Sequence, residues 1–267
     1  YMESAASNIR DKICQAFPDS DEIPEISTIH GLAFRIIKEN NNYARLKLSD
    51  NIEVADDNIR QKLLMEALVE IGLDYKEYSD YQSGISAVKL SPNGILPLNN
   101  LKKSKLFAKV YDAYEKKLRL ASMIDYDDML RYATELVDTH KDIRDFYAEQ
   151  YHFVIEDEAQ DSSELQQKLL LLLSSKHNNL LRIGDINQAI TSSFTDSDPK
   201  CFKKFFDFSE QMVMKSSQRS SRQIQKLAND LIDYSKTQEN LKDTFYDSKL
   251  FPAEKNPVTD KSPEFHV

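Results

Sequence analysis

The chain has 267 residues, of which 40% are apolar and 30% charged, with a net charge of −9. This size allows one large domain or two ordinary ones around a real core, and the negative balance argues against a broad unspecific nucleic-acid coat while leaving room for a local basic groove. No run approaches the roughly 18 apolar residues of a membrane helix, Tyr1-Met2-Glu3-Ser4 carries no leader pattern, and Cys14 and Cys201 lack metal-ligand spacing, so the expectation is a reduced, cytoplasmic protein with no membrane contact.

Only five glycines are present, and Leu, Lys, Glu and Asp abound, which points to a mostly helical chain. Residues 58–71 predict an amphipathic helix, with Leu63, Leu64, Ala67, Leu68 and Ile71 on one face and Gly72 as its C-cap. Residues 79–100 carry Gly84, Pro92, Gly94 and Pro97 and read as a loop. A second helix is predicted over 104–121, with Phe107, Val110, Tyr114 and Leu118 at helical spacing. Lys102, Lys103, Lys105, Lys109, Lys116, Lys117 and Arg119 make a basic stretch that reads as a solvated face. Asp125, Asp127 and Asp128 read as helix N-terminal acids rather than metal ligands.

Residues 151–190 change character. Phe153-Val154-Ile155 is a short buried-strand candidate. Asp161-Ser162-Ser163-Glu164 reads as a capping box opening a helix through Leu165, Leu169 and Leu173, and Leu180-Leu181-Arg182-Ile183 is a second strand candidate. This β-α-β unit implies a parallel sheet with a right-handed crossover, and ligands of such sheets collect at the carboxyl ends of the strands. Asp157 and Glu158 follow one strand, and Gly184, Asp185 and Gln188 follow the other. Paired carboxylates there suit a Mg²⁺-nucleotide site, where one acid holds the metal and its neighbour accepts a proton from an attacking water. The alternative is a solvated acidic loop, with Gln188 as a helix-cap amide and Arg219 in a surface ion pair. Residues 236–267, with Pro252, Pro257 and Pro263, read as a linker or a poorly ordered extension.

Four segments stand in order: Ser27-Thr28-Ile29-His30-Gly31-Leu32-Ala33, residues 153–161, Gly184-Asp185-Ile186-Asn187-Gln188-Ala189-Ile190, and Gln218-Arg219-Ser220-Ser221. This series resembles motifs Ib, II, III and IV of the UvrD/Rep family of superfamily 1 DNA helicases. Residues 125–130 look like the D-F-x-x-L segment where that family's chain re-enters its core, and residues 1–13 look like the tail of motif Ia. The resemblance implies an α/β fold: a partial RecA-like parallel sheet of the P-loop NTPase type with an inserted, mostly helical subdomain. Its borders would be 1–41 for the first part of domain 1A, 42–120 for the 1B insertion, 121–235 for the second part of 1A, and 236–267 for the connection onward.

The resemblance further implies ATP and Mg²⁺ as cofactors, single-stranded DNA and duplex junctions as partners, and 3′–5′ movement driven by hydrolysis. The oligomeric state stays open. Asp157 would hold Mg²⁺ and Glu158 would orient or deprotonate the attacking water. Gln188 would contact the γ-phosphate or that water, and Arg219 would bring positive charge to the γ-phosphate. Thr28 and His30 would touch the DNA backbone, or else serve as a helix cap and a packed ring. Phe194 would stack on a base, or else sit in the core. The basic stretch from Lys102 to Arg119 would contact duplex DNA, the alternative to a solvated face. No G-x-x-x-x-G-K-[ST] occurs, so the chain is expected to be a fragment of the helicase, inactive by itself. Two other readings are a non-catalytic interaction module on the same scaffold and a metal-dependent nuclease; the nuclease lacks further ligands at suitable spacing.

Overall fold

The computed structural model describes residues 2–20, 23–91, 101–189, 199–239 and 249–255. These form two compact units, one of residues 1–156 and 163–181 and the other of residues 157–162 and 182–267.

The first unit holds helices α1 (Met2–Ala16), α2 (Ile29–Lys38), α3 (Asp57–Ile71), α4 (Tyr78–Leu90), α5 (Leu101–Leu120), α6 (Tyr126–Thr139), α7 (Lys141–Gln150) and α8 (Glu164–Leu173). Sequence dictates their limits. Asp56 caps α3 by accepting from the Ile59 N–H, and Gly72 ends it at φ 85°, where a side chain would be strained. The N-cap of α6 is Asp125, in a capping box with Asp128, so these acids are helix-start residues as expected.

Two apolar cores result. Ala33, Ile36 and Ile37 of α2 pack with Met129, Leu130, Ala133, Leu136 and Val137 of α6, and with Leu165, Leu169 and Leu173 of α8. Leu64, Ala67 and Leu68 of α3 pack with Ile85 of α4 and Val110, Tyr114 and Leu118 of α5. Burying each of the larger side chains contributes about 1.5–3 kcal/mol before entropy is charged against it.

Between α3, α4, α5 and α6 lies a charge network that is buried at Lys89 and Asp125 and opens toward solvent at Arg131. The Lys89 ammonium, fully buried, sits 2.8 Å from Asp125, 2.8 Å from Asp128 and 2.6 Å from Glu115. Arg60 pairs with Asp127 at 2.6 Å, and Arg131 with Asp128 at 2.6 Å and with Glu115 at 3.2 Å. The Tyr114 hydroxyl donates to Asp125 and the Ser86 hydroxyl to Asp127, both at 2.8 Å. Three cations thus face four carboxylates. Burial, then the neighbouring Asp125, pushes the Asp128 carboxyl up to about 6. For Lys89, burial alone would lower its affinity for a proton, but the surrounding carboxylates win and hold the ammonium charged.

The strands are short. In the first unit β1 (Glu53–Val54) pairs in parallel with β2 (Met123–Ile124), and β3 (Val154–Glu156) neighbours β4 (Leu180–Arg182), whose last residue belongs to the second unit. The second unit holds α9 (Pro199–Phe208), α10 (Arg222–Thr237), and β5 (Ser216–Ser217) paired in parallel with β6 (Phe251–Pro252). Among the described residues every sheet is two-stranded, and the broad RecA-like sheet expected from the resemblance is not formed within them.

Four expectations need correction. The expected loop at 79–100 is helical as far as Leu90, because Ile85 buries in the α3–α5 core and Lys89 in the charge network; residues 92–100 lie outside the described residues. The capping box before α8 is Ser163 with Gln166, since Asp161 is taken up in a 3₁₀ turn, Ala159–Asp161. The β3 strand is not buried: Phe153 is 74% and Ile155 67% exposed, as a two-stranded pair leaves its faces open. Part of the expected extension is structured, because β6 pairs with β5 and the Asn229 side chain exchanges hydrogen bonds with the Leu250 backbone.

Candidate functional site

The acids follow β3 in the chain and belong to the second unit. Asp157 and Glu158 are exposed, while Ala159 and Gln160 beneath them are buried. The Ala159 N–H donates to the Ile183 carbonyl at 2.9 Å and fixes the turn. Glu158 has φ 54° and ψ 39°, a left-handed conformation costing a non-glycine residue about 1–2 kcal/mol. Its N–H donates to Asp157 Oδ1 at 3.0 Å.

Gln160 joins the acidic segment to the one after β4. Its Nε2 donates to Glu158 Oε2 at 2.7 Å, and its Oε1 accepts the Asp185 N–H at 3.0 Å. Asp185 extends the connection: Oδ1 accepts the Asn187 N–H at 3.0 Å and Oδ2 accepts Gln188 Nε2 at 2.8 Å. Glu158, Gln160, Asp185 and Gln188 therefore form one hydrogen-bonded relay. Glycine at 184 leaves room for this contact, because a Cβ there would lie 2.7 Å from Gln160 Oε1 and 3.1 Å from its backbone nitrogen, so that the Gln160 side chain would have to shift. On the other side of Gly184 stands Phe202, over whose ring the Arg182 guanidinium lies at 5.6 Å.

The other expected site residues are placed differently. Arg219 is exposed, its N–H 3.4 Å from Ser217 Oγ, and among the described residues no hydrogen bond or ion pair ties it to the acids. Ser221 beside it caps α10 by accepting from the Ile224 N–H. In the first unit Thr28 is the N-cap of α2, its hydroxyl oxygen accepting from the Gly31 N–H at 3.0 Å. His30 packs edge-on to Tyr126 at 5.9 Å, and burial lowers its pKa, which keeps the ring neutral. Phe194 lies outside the described residues. Sequence reasoning gave no role to Gln160, and its one signal is an amide held between the strand-end acids and a serine-capped helix.

The oxygen donors of Asp157 and Glu158 suit a hard cation such as Mg²⁺, which takes few protein carboxylates and keeps much of its water. Both are exposed, and among the described residues the hydrogen bond of Asp157 in its turn goes to Oδ1.

The sequence profile of the UvrD/REP helicase N-terminal domain matches residues 1–210. The ATP-dependent DNA helicase PcrA of Leuconostoc citreum is 23% identical over 245 residues, covering 88% of this chain and 32% of that protein. PcrA of Staphylococcus aureus is 23% identical over 241 residues, or 87% of this chain and 32% of its own length. The probable DNA helicase II homolog of Rickettsia conorii is 27% identical over 171 residues, covering 62% of this chain and 26% of that protein. The chain thus spans about a third or less of the length of these relatives. With residues 1–210 matched and the acidic segment bonded to the Gly184-Asp185 segment, this chain belongs to the UvrD/REP helicase N-terminal domain family.

Proposed function

We propose that this chain is the N-terminal part of a cytoplasmic ATP-dependent DNA helicase that moves 3′–5′ along single-stranded DNA. The observation carrying this reading is the relay from Glu158 through Gln160 to Asp185 and Gln188. A relay of this kind lets a change at the hydrolytic acid reach a neighbouring segment without a large motion. In this reading Asp157 holds Mg²⁺, which when bound neutralises charge on the transferring phosphoryl oxygens. Glu158 orients or deprotonates the attacking water, Gln188 senses the γ-phosphate, and Arg219 approaches it once nucleotide is bound. The RecA-like sheet would be completed by chain outside the described residues. The phosphate cradle would come from elsewhere in the polypeptide, since no G-x-x-x-x-G-K-[ST] occurs among these 267 residues.

Thr28 uses its oxygen as a cap acceptor and so offers its O–H proton to a DNA phosphate. His30, kept neutral by burial, would act as a hydrogen-bond donor and not as a charge. The test is Glu158→Gln in the longer helicase: hydrolysis is lost while nucleotide binding is retained. Unchanged turnover removes Glu158 from this role. The 267-residue chain alone is expected to show no DNA-stimulated hydrolysis, and measurable turnover by it overturns the fragment reading.

A further inference from the structure

We infer that the first unit carries a transition-metal site of the zinc class, formed by Glu149, His152 and His177. The three side chains come from different places in the sequence. Glu149 lies in the last turn of α7, His152 just before β3, and His177 in the turn between α8 and β4. One ligand atom of each lies within 4.8 Å of the other two. Four-coordinate zinc, with bonds of about 2.1 Å, wants its ligands about 3.4 Å apart. Rotations of the exposed Glu149 and His152 side chains close that difference.

Further observations point to a ligand. The Nε2 atom of His177 is buried and has no hydrogen-bond partner among the described residues, a state that costs free energy unless something binds there. Its ring meets the His152 ring at 4.6 Å, so two imidazoles share one place with a carboxylate. The backbone holds them together: Asn179 Nδ2 donates to the His152 carbonyl at 2.9 Å, and the Asn178 N–H to the Ser174 carbonyl at 2.8 Å. The carboxyl end of α7 adds negative potential beside Glu149. Two imidazoles and one carboxylate form a donor set for zinc, cobalt or nickel rather than for magnesium or calcium. The Lys176 ammonium pairs with Glu149 and would be displaced by the metal. Three protein ligands leave a position for water, and the bound ion would fasten the end of α7 to the turn that leads into β4.

The experiment uses the untagged 267-residue chain, stripped with a chelator and titrated with Zn²⁺ and in parallel with Co²⁺. Expected are one ion per chain, a Co²⁺ visible spectrum of low coordination number with nitrogen ligands, and a higher melting temperature with Zn²⁺. His152→Ala and His177→Ala should each weaken binding by about tenfold or more, and Lys176→Ala should strengthen it. His152 is exposed, so its variant keeps the metal-free melting temperature and circular dichroism, which separates lost binding from lost folding. Absence of stoichiometric binding, or equal binding by the wild type and His152→Ala, overturns the proposal.

Discussion

Replacing Lys89 with methionine removes one ammonium from a dry site and leaves its volume nearly filled. In the native chain Arg60, Lys89 and Arg131 face Asp125, Asp127, Asp128 and Glu115. In the variant two cations remain against the same four acids. Removing one partner of a buried pair costs about 3–5 kcal/mol, a large share of a total stability of about 5–15 kcal/mol. The pH dependence gives a second signature. Asp128 binds its proton with a pKa of about 6 in the folded chain, above its ordinary 3.8, so its contribution is full below the ordinary value and is lost as pH rises through about 6. Asp125 has the opposite sign: burial works upward, but Lys89 and Arg60 hold it below its ordinary value, so its contribution is lost only under stronger acid. Without Lys89 both carboxyls rise, and each then favours the folded state on acidification. The deficit of Lys89→Met should therefore be largest near about pH 8 and shrink toward about pH 5. Urea unfolding followed by circular dichroism reads this directly, as the chain has no tryptophan to serve as a probe. Asp128→Asn added to Lys89→Met should recover part of the loss. A deficit below about 1 kcal/mol, the size of a surface pair, or one equal at both pH values, refutes the reasoning.

Two other substitutions test local geometry. Gly184→Ala drives a Cβ to 2.7 Å from Gln160 Oε1, and should cost about 1–3 kcal/mol as an overpacked contact while breaking the Asp185–Gln160 bond. Thermal melting measures the loss, and an unshifted melting temperature would show that the turn yields freely. Thr28→Ala removes the cap of α2 and should cost about 1 kcal/mol, while Thr28→Ser retains it; equal melting of the two variants would count against the cap.

Local signals carried α3, α5 and α8, where apolar spacing and, for α3, Gly72 agree with the final packing, while the capping box of α8 starts two residues later than expected. The acids after β3 were equally readable, as an apolar run ending in carboxylates needs no partner to be noticed. What failed was non-local. Helix α4 holds Ser79, Ser83, Gly84 and Ser86, poor helix formers, and is stabilised by Ile85 in a core and by Lys89 bonding to acids 36 and 39 positions away. Gln160 meets Asp185 across 25 positions, and nothing next to it in sequence announces that bond. The strand β6 hides behind Pro252, yet proline is tolerated there because the Phe251 and Ala253 N–H groups, not that of residue 252, meet β5 and its neighbour Lys215.

Helix α6 has one further consequence. Met129, Leu136 and Val137 belong to the core shared with α2 and α8, while Asp127 and Asp128 reach the cations of α3 and α4. One helix thus ties the first core to the charge network that borders the second. Loosening either core would wet the charges between them, so neither core can melt while the other persists. Hydrogen exchange at α3 and at α8 should accordingly report a single opening event, making the first unit one cooperative foldon despite its two separate apolar clusters.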